Sequence, residues 1–306
     1  MPDVDSTVDS TVDKDAERSA RGTPGEQFAA AVAAAGDQED VTVAVDAHLP
    51  GAFPLFATRP RYPVRHLLNT MSVATEDSPD SAAYVYEPSV QQREESGTTY
   101  AATPEATFLP ELREAQLSDL TVTVSLPPTI LRRAQLLTAF VDRRVLVRTT
   151  TMENQVLLHG SDDGKVPGLL ELSGMRHRSS DRGLDEAVTT VAFEVEETGG
   201  SCDGMVVHPA VYWEMVRQGL LGRLQVAGVV VSRTRMIARD TLLLGDFQAA
   251  ATLLLPGVNT LTLRRGAGAS GEDVIEASTR LGLGVHLPQH LISLTWRGVE
   301  DRGVEG

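Results

Sequence analysis

Residues 120–160 read LTVTVSLPPTILRRAQLLTAFVDRRVLVRTTTMENQVLLHG. Leu120–Val124 alternates apolar and polar residues, the period of a half-buried strand. Pro127 and Pro128 end it, and proline is well tolerated where a helix starts. Leu137, Phe140, Val141, Val145, Met152, Val156 and Leu157 then recur at spacings of mostly three and four. That spacing predicts one long helix over Thr129–His159. Gly160 and the polar run Ser161–Gly164 stop it.

Downstream the pattern is mixed. Leu184–Thr198 reads as a second helix, with Ala187, Val188, Val191, Ala192 and Val195 on its apolar side. A turn at Gly199–Asp203 leads into a strand at Met205–Val207, and Pro209 opens a third helix through about Gln218. Val226–Ser232 reads as a buried strand. Thr241–Leu244, Ala249–Leu255, Thr260–Arg264, Val274–Leu287 and His290–Trp296 supply the remaining sheet signals. The expected class is α+β, without the regular strand–helix alternation of a doubly wound sheet.

Upstream, EQFAAAVAAA between Gly25 and Gly36 has good helix propensity. Val41–Val45 alternates as a short strand. Pro50, Pro54, Pro60 and Pro63 make residues 49–63 extended chain, and Val64–Leu68 suits a single helical turn. A strand begins at Tyr84–Tyr86. The chain from Gln91 to Phe108 is polar and irregular. A long excursion between two strands is uncommon in a compact domain and is usually functional or an interaction arm.

The 306 residues carry 42% apolar and 23% charged side chains, ordinary globular usage. No stretch approaches eighteen apolar residues, so no membrane helix is expected. The start, MPDVDSTVDSTVDKDAE, lacks the basic and apolar regions of a signal peptide, and a cytosolic location is expected. The formal net charge is −15, and every basic residue except Lys14 and Lys165 is arginine. So negative a chain is not built as a dedicated nucleic-acid binder. Residues 1–40 hold ten Asp and Glu against Lys14, Arg18 and Arg21. Residues 1–25, with their repeated DSTV, bury too little to offset ordering entropy and read as disordered.

Several motifs invite chemistry. Gly200-Ser201-Cys202-Asp203-Gly204 fits G-x-C-x-G, the cysteine form of a nucleophile elbow, but an elbow needs a strand before it and a helix after it. Here the order is reversed, so a tight helix–strand turn is expected and a hydrolase using Cys202 is a distant alternative. The lone cysteine excludes internal disulfides and a cysteine-based zinc site. Gly160-Ser161-Asp162-Asp163-Gly164-Lys165 is one residue short of a phosphate loop, and Val166 replaces its Ser or Thr. His286 and His290 have a helical zinc spacing, but Pro288 lies between them in a strand context. His48, His66, His159, His177 and His208 are scattered. No cofactor or metal site is expected. Arg132, Arg133, Arg143, Arg144 and Arg148 make the long helix basic within an acidic protein. They read as solvated or inter-subunit ion pairs, or as a face for polyanions or acidic tails, the chain's own N-terminal tail included.

In order, the segments resemble the Hong Kong 97-type major capsid proteins, a fold shared by tailed-phage capsids and encapsulin shells. RYPVRHLLNT at Arg61–Thr70 looks like the family's P-x-[I/V]-R-x-L-L arm end. Glu153 through Leu158-His159-Gly160, then Pro167-Gly168-Leu169-Leu170, resembles E-x-x-L-L-x-G followed by x-G-[I/L]. MVVHPAVYW (Met205–Trp213), GVVVSRTRM (Gly228–Met236), LGDFQAA (Leu244–Ala250) and Arg280–Pro288 resemble later family motifs. The resemblance covers roughly residues 60–296.

It implies a non-catalytic, self-assembling icosahedral subunit without cofactor or membrane partner. A flexible extension (1–40) precedes an N-terminal arm (41–86) and an extended loop (87–119). A peripheral domain with a spine helix (120–170, 259–286), an axial domain (171–258, 287–296) and a tail (297–306) follow. The partners implied are copies of itself and an encapsulated cargo protein, with nucleic acid only in a phage capsid. Gly199, Gly200, Ser201, Cys202, Asp203, Leu220 and Arg223 would rim a pore, and the spine-helix arginines would face the lumen. Residues 87–119 contain no lysine for the loop cross-link of some phages, and no long scaffolding region precedes the arm. Both departures tilt the resemblance toward encapsulins, with a phage capsid as the alternative.

Overall fold

A computed structural model describes residues 22–36, 40–45, 63–73, 80–86, 111–256 and 259–298. The helices are α1 (Pro24–Ala35), α2 (Pro128–Leu131), α3 (Ala134–Phe140), α4 (Leu146–His159), α5 (Leu184–Glu197), α6 (Pro209–Arg217), α7 (Leu220–Val226) and α8 (Phe247–Ala250). The strands are β1 (Val41–Val45), β2 (Asn69–Ser72), β3 (Ser81–Tyr86), β4 (Glu111–Leu126), β5 (Arg176–Ser180) and β6 (Gly204–Val207). They continue with β7 (Val230–Arg233), β8 (Thr241–Gly245), β9 (Ala251–Leu255), β10 (Asn259–Arg264), β11 (Asp273–Val285) and β12 (Leu291–Trp296). Residues 1–21 and 37–39 of the expected flexible extension (1–40), and residues 87–110 of the expected extended loop (87–119), lie outside the described residues; the rest departs from expectation, because Pro24–Ala35 is a helix packed into a core and Glu111–Asp119 is already strand β4.

The chain forms two compact units. The first takes residues 1–61, 119–152 and 257–280. Its strand β1 pairs antiparallel with β10, and β10 with β11, placing Val43 opposite Leu261 and Leu263 opposite Ile275. α1 begins with a capping box: Thr23 Oγ1 accepts from Glu26 N, and Glu26 Oε2 accepts from Thr23 N. Phe28, Ala29 and Val32 of α1 pack with Leu137, Val141, Val145, Leu261, Leu263 and Ile275 in one core.

The expected single long helix is interrupted. Arg133 is extended, at φ −130° and ψ 96°, and caps α3 with its carbonyl, which accepts from the Leu136 and Leu137 amides. Residues Val141–Val145 then form one π turn before α4. Arginine is a good helix former, so intrinsic propensity does not account for the break.

The second unit takes residues 62–118, 153–256 and 281–306. Its five-stranded sheet runs β5-β12-β8-β6-β7, with β5 and β7 at the edges. β12 runs parallel to β5 and antiparallel to β8, and β6 runs antiparallel to β8 and parallel to β7. Leu184, Val188, Val191 and Val195 of α5, Val211 and Met215 of α6, and Leu220 and Leu224 of α7 share one core with Met205, Leu244, Ile292 and Leu294. β3 and the first part of β4 form an antiparallel ribbon, from Ser81 opposite Gln116 to Tyr86 opposite Glu111. The strand expected to begin at Tyr84 therefore ends at Tyr86. β2 pairs parallel with β9, and β9 antiparallel with the end of β11.

The buried strand expected over Val226–Ser232 is contradicted at its start and in its burial. Residues Leu220–Val226 are helix, because Leu220 and Leu224 are one turn apart and both buried. Val226 is 91% exposed. The strand starts only at Val230, whose side chain is half exposed because β7 is an edge. β5 (RHRSS) carries no apolar residue and so left no signal; it is held by its parallel pairing to β12.

The end of α4 is closed by its own family-like motif. The amide of Gly160 donates to the Val156 carbonyl, that of Leu169 to Leu157 and that of Leu170 to Leu158. These bonds satisfy carbonyls that a helix end leaves open. The returning segment lies so close that a Cβ at Gly168 would stand 2.4 Å from the His159 carbonyl carbon. No flexible side chain could give way there. Gly168→Ala should lower the chemical-denaturation midpoint by the equivalent of about 1–3 kcal/mol, as overpacking does; an unchanged midpoint would contradict this close approach.

Candidate functional site

Three sites in the second unit bear on function, and the arginines of the first unit are a fourth. The first is the turn where the expected arm ends. Val64, Arg65, Leu67 and Leu68 are buried, with Arg65–Leu67 in a 3-10 turn. Arg65 Nη1 donates to Glu153 Oε2 at 3.3 Å, and both side chains are inside, 9% and 1% exposed. Beside them the Val64 amide donates to Asn154 Oδ1 at 3.1 Å. Two successive polar residues of the α4 helix thus hold one turn of the preceding chain. Burial pushes the Glu153 carboxyl up to about 7, and the Arg65 guanidinium opposes that rise. Removing one partner of a buried pair strands the other charge, at about 3–5 kcal/mol.

The second surface is the expected pore-rim loop. α5 ends at Thr198, and Gly199 follows in the left-handed region at φ +86°. Two carboxylates cross-brace the loop. Asp246 Oδ2 accepts from the Ser201 amide at 2.8 Å, and Asp246 Oδ1 caps α8 through the Ala249 amide. Asp203 Oδ1 accepts from the Phe247 amide at 2.9 Å. Burial, with the Asp246 charge, raises the Asp203 pKa, while the Phe247 and Gln248 amides lower it. Gly200 packs against the His290 ring, where an added Cβ would meet Nδ1 at 3.0 Å. Ser201 is exposed and Cys202 buried. Leu220 is a core side chain, so only the backbone of that position can shape an edge. Arg223 is exposed and paired with Asp185 at 2.8 Å. The expected rim residues therefore divide: Gly199, Ser201 and Arg223 face solvent, whereas Cys202 and Leu220 belong to the core.

The same geometry speaks to the elbow motif. Cys202 lies among Val195, Met205 and Val207, and burial, followed by the Asp203 charge, pushes its thiol up to about 12. An activated nucleophile needs a lowered thiol pKa. The loop at residues 160–165 is likewise occupied by its own acid. Asp163 accepts from Ser161 Oγ at 2.6 Å, from Ser118 Oγ and from the Lys165 amide, which together hold its pKa down. A carboxylate stands where a phosphate loop would need an anion hole. His286 Nε2 meets Thr252 Oγ1 at 3.0 Å, and His290 lies beyond Pro288 in a 3-10 turn. Among the described residues no group of three or more His, Cys, Asp or Glu is placed to hold a metal, and no helix is long and apolar enough to cross a membrane.

The third surface is the β3–β4 ribbon, for which residue patterns gave no warning. Val85 and Leu112 are cross-strand partners, 53% and 76% exposed, on the same ribbon that leads into residues 87–110. The opposite face is fastened. Tyr84 lies edge-on to His286, Tyr86 stacks parallel to the same ring, and the Arg113 guanidinium covers Tyr86 at 3.3 Å from its centroid. A ribbon held on one face and apolar on the other presents a surface that water does not favour. Elsewhere in this unit Trp213 is 57% exposed, with Arg233 stacked over it and Tyr212.

The five spine-helix arginines, Arg132, Arg133, Arg143, Arg144 and Arg148, are all exposed, and the Arg143 charge acts on the neighbouring Asp142 carboxylate, lowering its pKa against the larger rise that burial causes.

Two measurements test these sites. Because the Glu153 carboxyl holds its proton to higher pH in the native than in the unfolded chain, the unfolded chain binds fewer protons between about pH 4.5 and 7. The contribution of Glu153 to stability is thus full below that window and declines as pH rises through it. Glu153→Gln should flatten the fall in denaturation midpoint between pH 5 and 8; equal slopes in both proteins would refute the assignment. Cys202 should resist a thiol reagent at pH 8 in the native protein and react at once in denaturant.

No protein-family model matches the chain, and no curated protein matches it in sequence. Solved structures do. A chain of Mycobacterium phage Bobi aligns at 12% identity with a TM-score of 0.57, over 81% of this chain and 94% of that one. The capsid of a native GTA particle aligns at 13% identity and a TM-score of 0.56, over 78% and 91%. A virus-like particle from Pyrococcus furiosus aligns at 11% identity and a TM-score of 0.53, over 76% and 91%. The chain has the Hong Kong 97-type capsid fold.

Proposed function

We propose that the chain is the repeating subunit of a closed icosahedral shell, of the encapsulin nanocompartment type, enclosing a protein cargo in the cytoplasm. The observation that carries this reading is the exposed Val85–Leu112 pair on a ribbon whose other face is fastened by Tyr84, Tyr86 and Arg113. Fully burying a Leu or Val side chain stabilises an association by about 1.5–3 kcal/mol. Repeated around symmetry axes, such contacts close a shell. Capsid structures of the same fold support the reading. The unit built on the five-stranded sheet would supply the axial domain, with the Gly199–Asp203 loop and Arg223 at a pore rim. The first unit would supply most of the peripheral domain. The role is structural; the buried, high-pKa thiol of Cys202 disfavours the hydrolase reading.

Encapsulin rather than phage is favoured by the acidic N-terminal segment and the absence of lysine from residues 87–119. The major capsid protein of a tailed phage is the second reading, favoured by the phage and GTA structures that share the fold. A virion would then be its location and DNA its content.

Negative-stain microscopy of the purified protein should show hollow, uniform particles, and size exclusion should place it far above its 32.8 kDa subunit mass. A monomer under near-physiological conditions would overturn the shell reading. Leu112→Asp should abolish particles while leaving the circular dichroism of the subunit unchanged. Particles that copurify with one protein species support the nanocompartment, and nuclease-protected DNA supports the phage reading.

A further inference from the structure

The five-stranded sheet of the second unit has β5 and β7 as its open edges. Strands spaced about 4.8 Å apart put those edges about 19 Å from each other. α5, α6 and α7 share one core on this sheet, with α5 over β12 and β8 and α6 and α7 over β7. The last turn of α5 is tied to the β5 edge. Arg178 Nε donates to Glu194 Oε2 at 2.8 Å, and Arg176 Nη1 donates to the Glu194 carbonyl at 3.1 Å. α6 begins at the β7 edge, where the Arg233 guanidinium lies 4.5 Å from the Tyr212 ring centroid and 5.4 Å from that of Trp213. All these residues belong to the second unit.

The two ends of this layer each expose an aromatic ring, and their charges are opposite. At the β7 end Trp213 is 57% exposed, and Arg233, Arg235 and Arg239 are exposed with it. Burial, then the Arg239 and Arg235 charges, lower the pKa of His208, the N-cap of α6, so both arginines stand near the start of that helix. None of the three makes an ion pair with a described acid, and the neighbouring Asp240 accepts from the Thr241 hydroxyl. At the β5 end Phe193 is 60% exposed. Glu196 and Glu197, three and four residues on, share its side of α5 and are exposed too. Glu194 is taken by Arg178, whereas Glu196 and Glu197 pair with no described cation. Tryptophan and arginine are the residues that anchor protein interfaces.

We infer that Phe193, Glu196 and Glu197 of one subunit dock on Trp213, Arg233, Arg235 and Arg239 of a second copy. One subunit cannot make this contact with itself, because the two patches lie at opposite ends of one sheet. Each docking leaves a free patch at either end of the pair, so the contact is heterologous, and copies related by a closing rotation form a ring. Carboxylates facing guanidinium groups supply charge-assisted hydrogen bonds, and the two rings supply apolar area. Charge complementarity of this kind also sets the register of docking. The inference rests on the shell reading and names which surfaces of neighbouring copies meet. It is separate from the Val85–Leu112 ribbon, which lies on other strands.

Charge exchange tests the pairing. Arg235→Glu with Arg239→Glu, and separately Glu196→Arg with Glu197→Arg, set like charges across the contact. Each of these double variants should lose the assembled peak in size exclusion at least about tenfold relative to the wild-type chain, with unchanged circular dichroism. All four substitutions in one chain make the charges opposite again and should bring the assembled peak back. Wild-type assembly by either double variant, or no recovery in the fourfold variant, overturns the inference. A second measurement reads the direction of the contact. Thr190 lies one turn before Phe193 and Ala210 one turn before Trp213, and both are exposed. With a short bis-maleimide, a chain carrying Thr190→Cys and Ala210→Cys should give a ladder beyond dimers on a denaturing gel, and either substitution alone should give monomers. The wild-type chain, whose Cys202 is buried, sets the background. Dimers from one substitution alone, or no ladder from both, overturn the head-to-tail pairing. A wild-type chain that stays monomeric overturns the shell reading and this inference with it. A wild-type chain that assembles while the charge variants assemble equally overturns this inference alone.

Discussion

A helix that ends inside a core must have its last carbonyls satisfied there, and the second unit is organised by that requirement. Leu157 and Leu158 are fully buried at the end of α4, so water cannot reach their carbonyls. The chain meets the demand by turning at Gly160 and returning through Gly168, whose missing side chain lets the Leu169 and Leu170 amides reach them. One turn earlier the same helix presents Glu153 and Asn154, which hold Arg65 and the Val64 amide. The family-like motif at residues 153–170 is therefore a closure device. Its glutamate receives the arm turn, its leucines fill the core, and its glycines allow the returning segment to approach.

A buried ion pair is weak support for stability, because desolvation consumes most of the attraction. The Arg65–Glu153 pair makes better sense as registry. A guanidinium inside the fold is tolerable in one place only, opposite the carboxylate, and so the turn at residues 64–68 has one position along α4. The two aspartates of the rim loop work similarly at smaller scale. Asp203 and Asp246 each accept amides from the other's segment, which locks a glycine-rich loop without apolar side chains. Cys202 is carried into the core by that bracing, and its burial is incompatible with the activated thiol that its G-x-C-x-G setting suggests.

Much of the fold was legible before any coordinates. α1, β1, α5, β6 and α6 fall within a residue or two of the expected bounds, since each is marked by proline, glycine or a clean period. What escaped was decided by neighbours. β5 has no apolar residue and exists through pairing with β12. α7 was not foreseen, and its last residue, Val226, was expected to open a strand, because Gly222 and the valines that follow mask the Leu220–Leu224 spacing. The break at Arg132 and Arg133 falls between two good helix formers. The site was less legible than the fold. Arg65, Glu153 and Gly168 could be picked out by resemblance, but the Val85–Leu112 pair needs the ribbon register, and Asp246 bracing Ser201 spans 45 residues.

By itself the sequence determined the class, the order of elements, the acidic start and the arginine-rich helix, because local period, proline, glycine and charge act over a few residues. Only the tertiary structure decided which apolar side chains stay in water, which charges are paired and which thiol is inert. Those depend on what lies opposite in space, and burial changes an ionisation or a contact by more than the identity of the residue does.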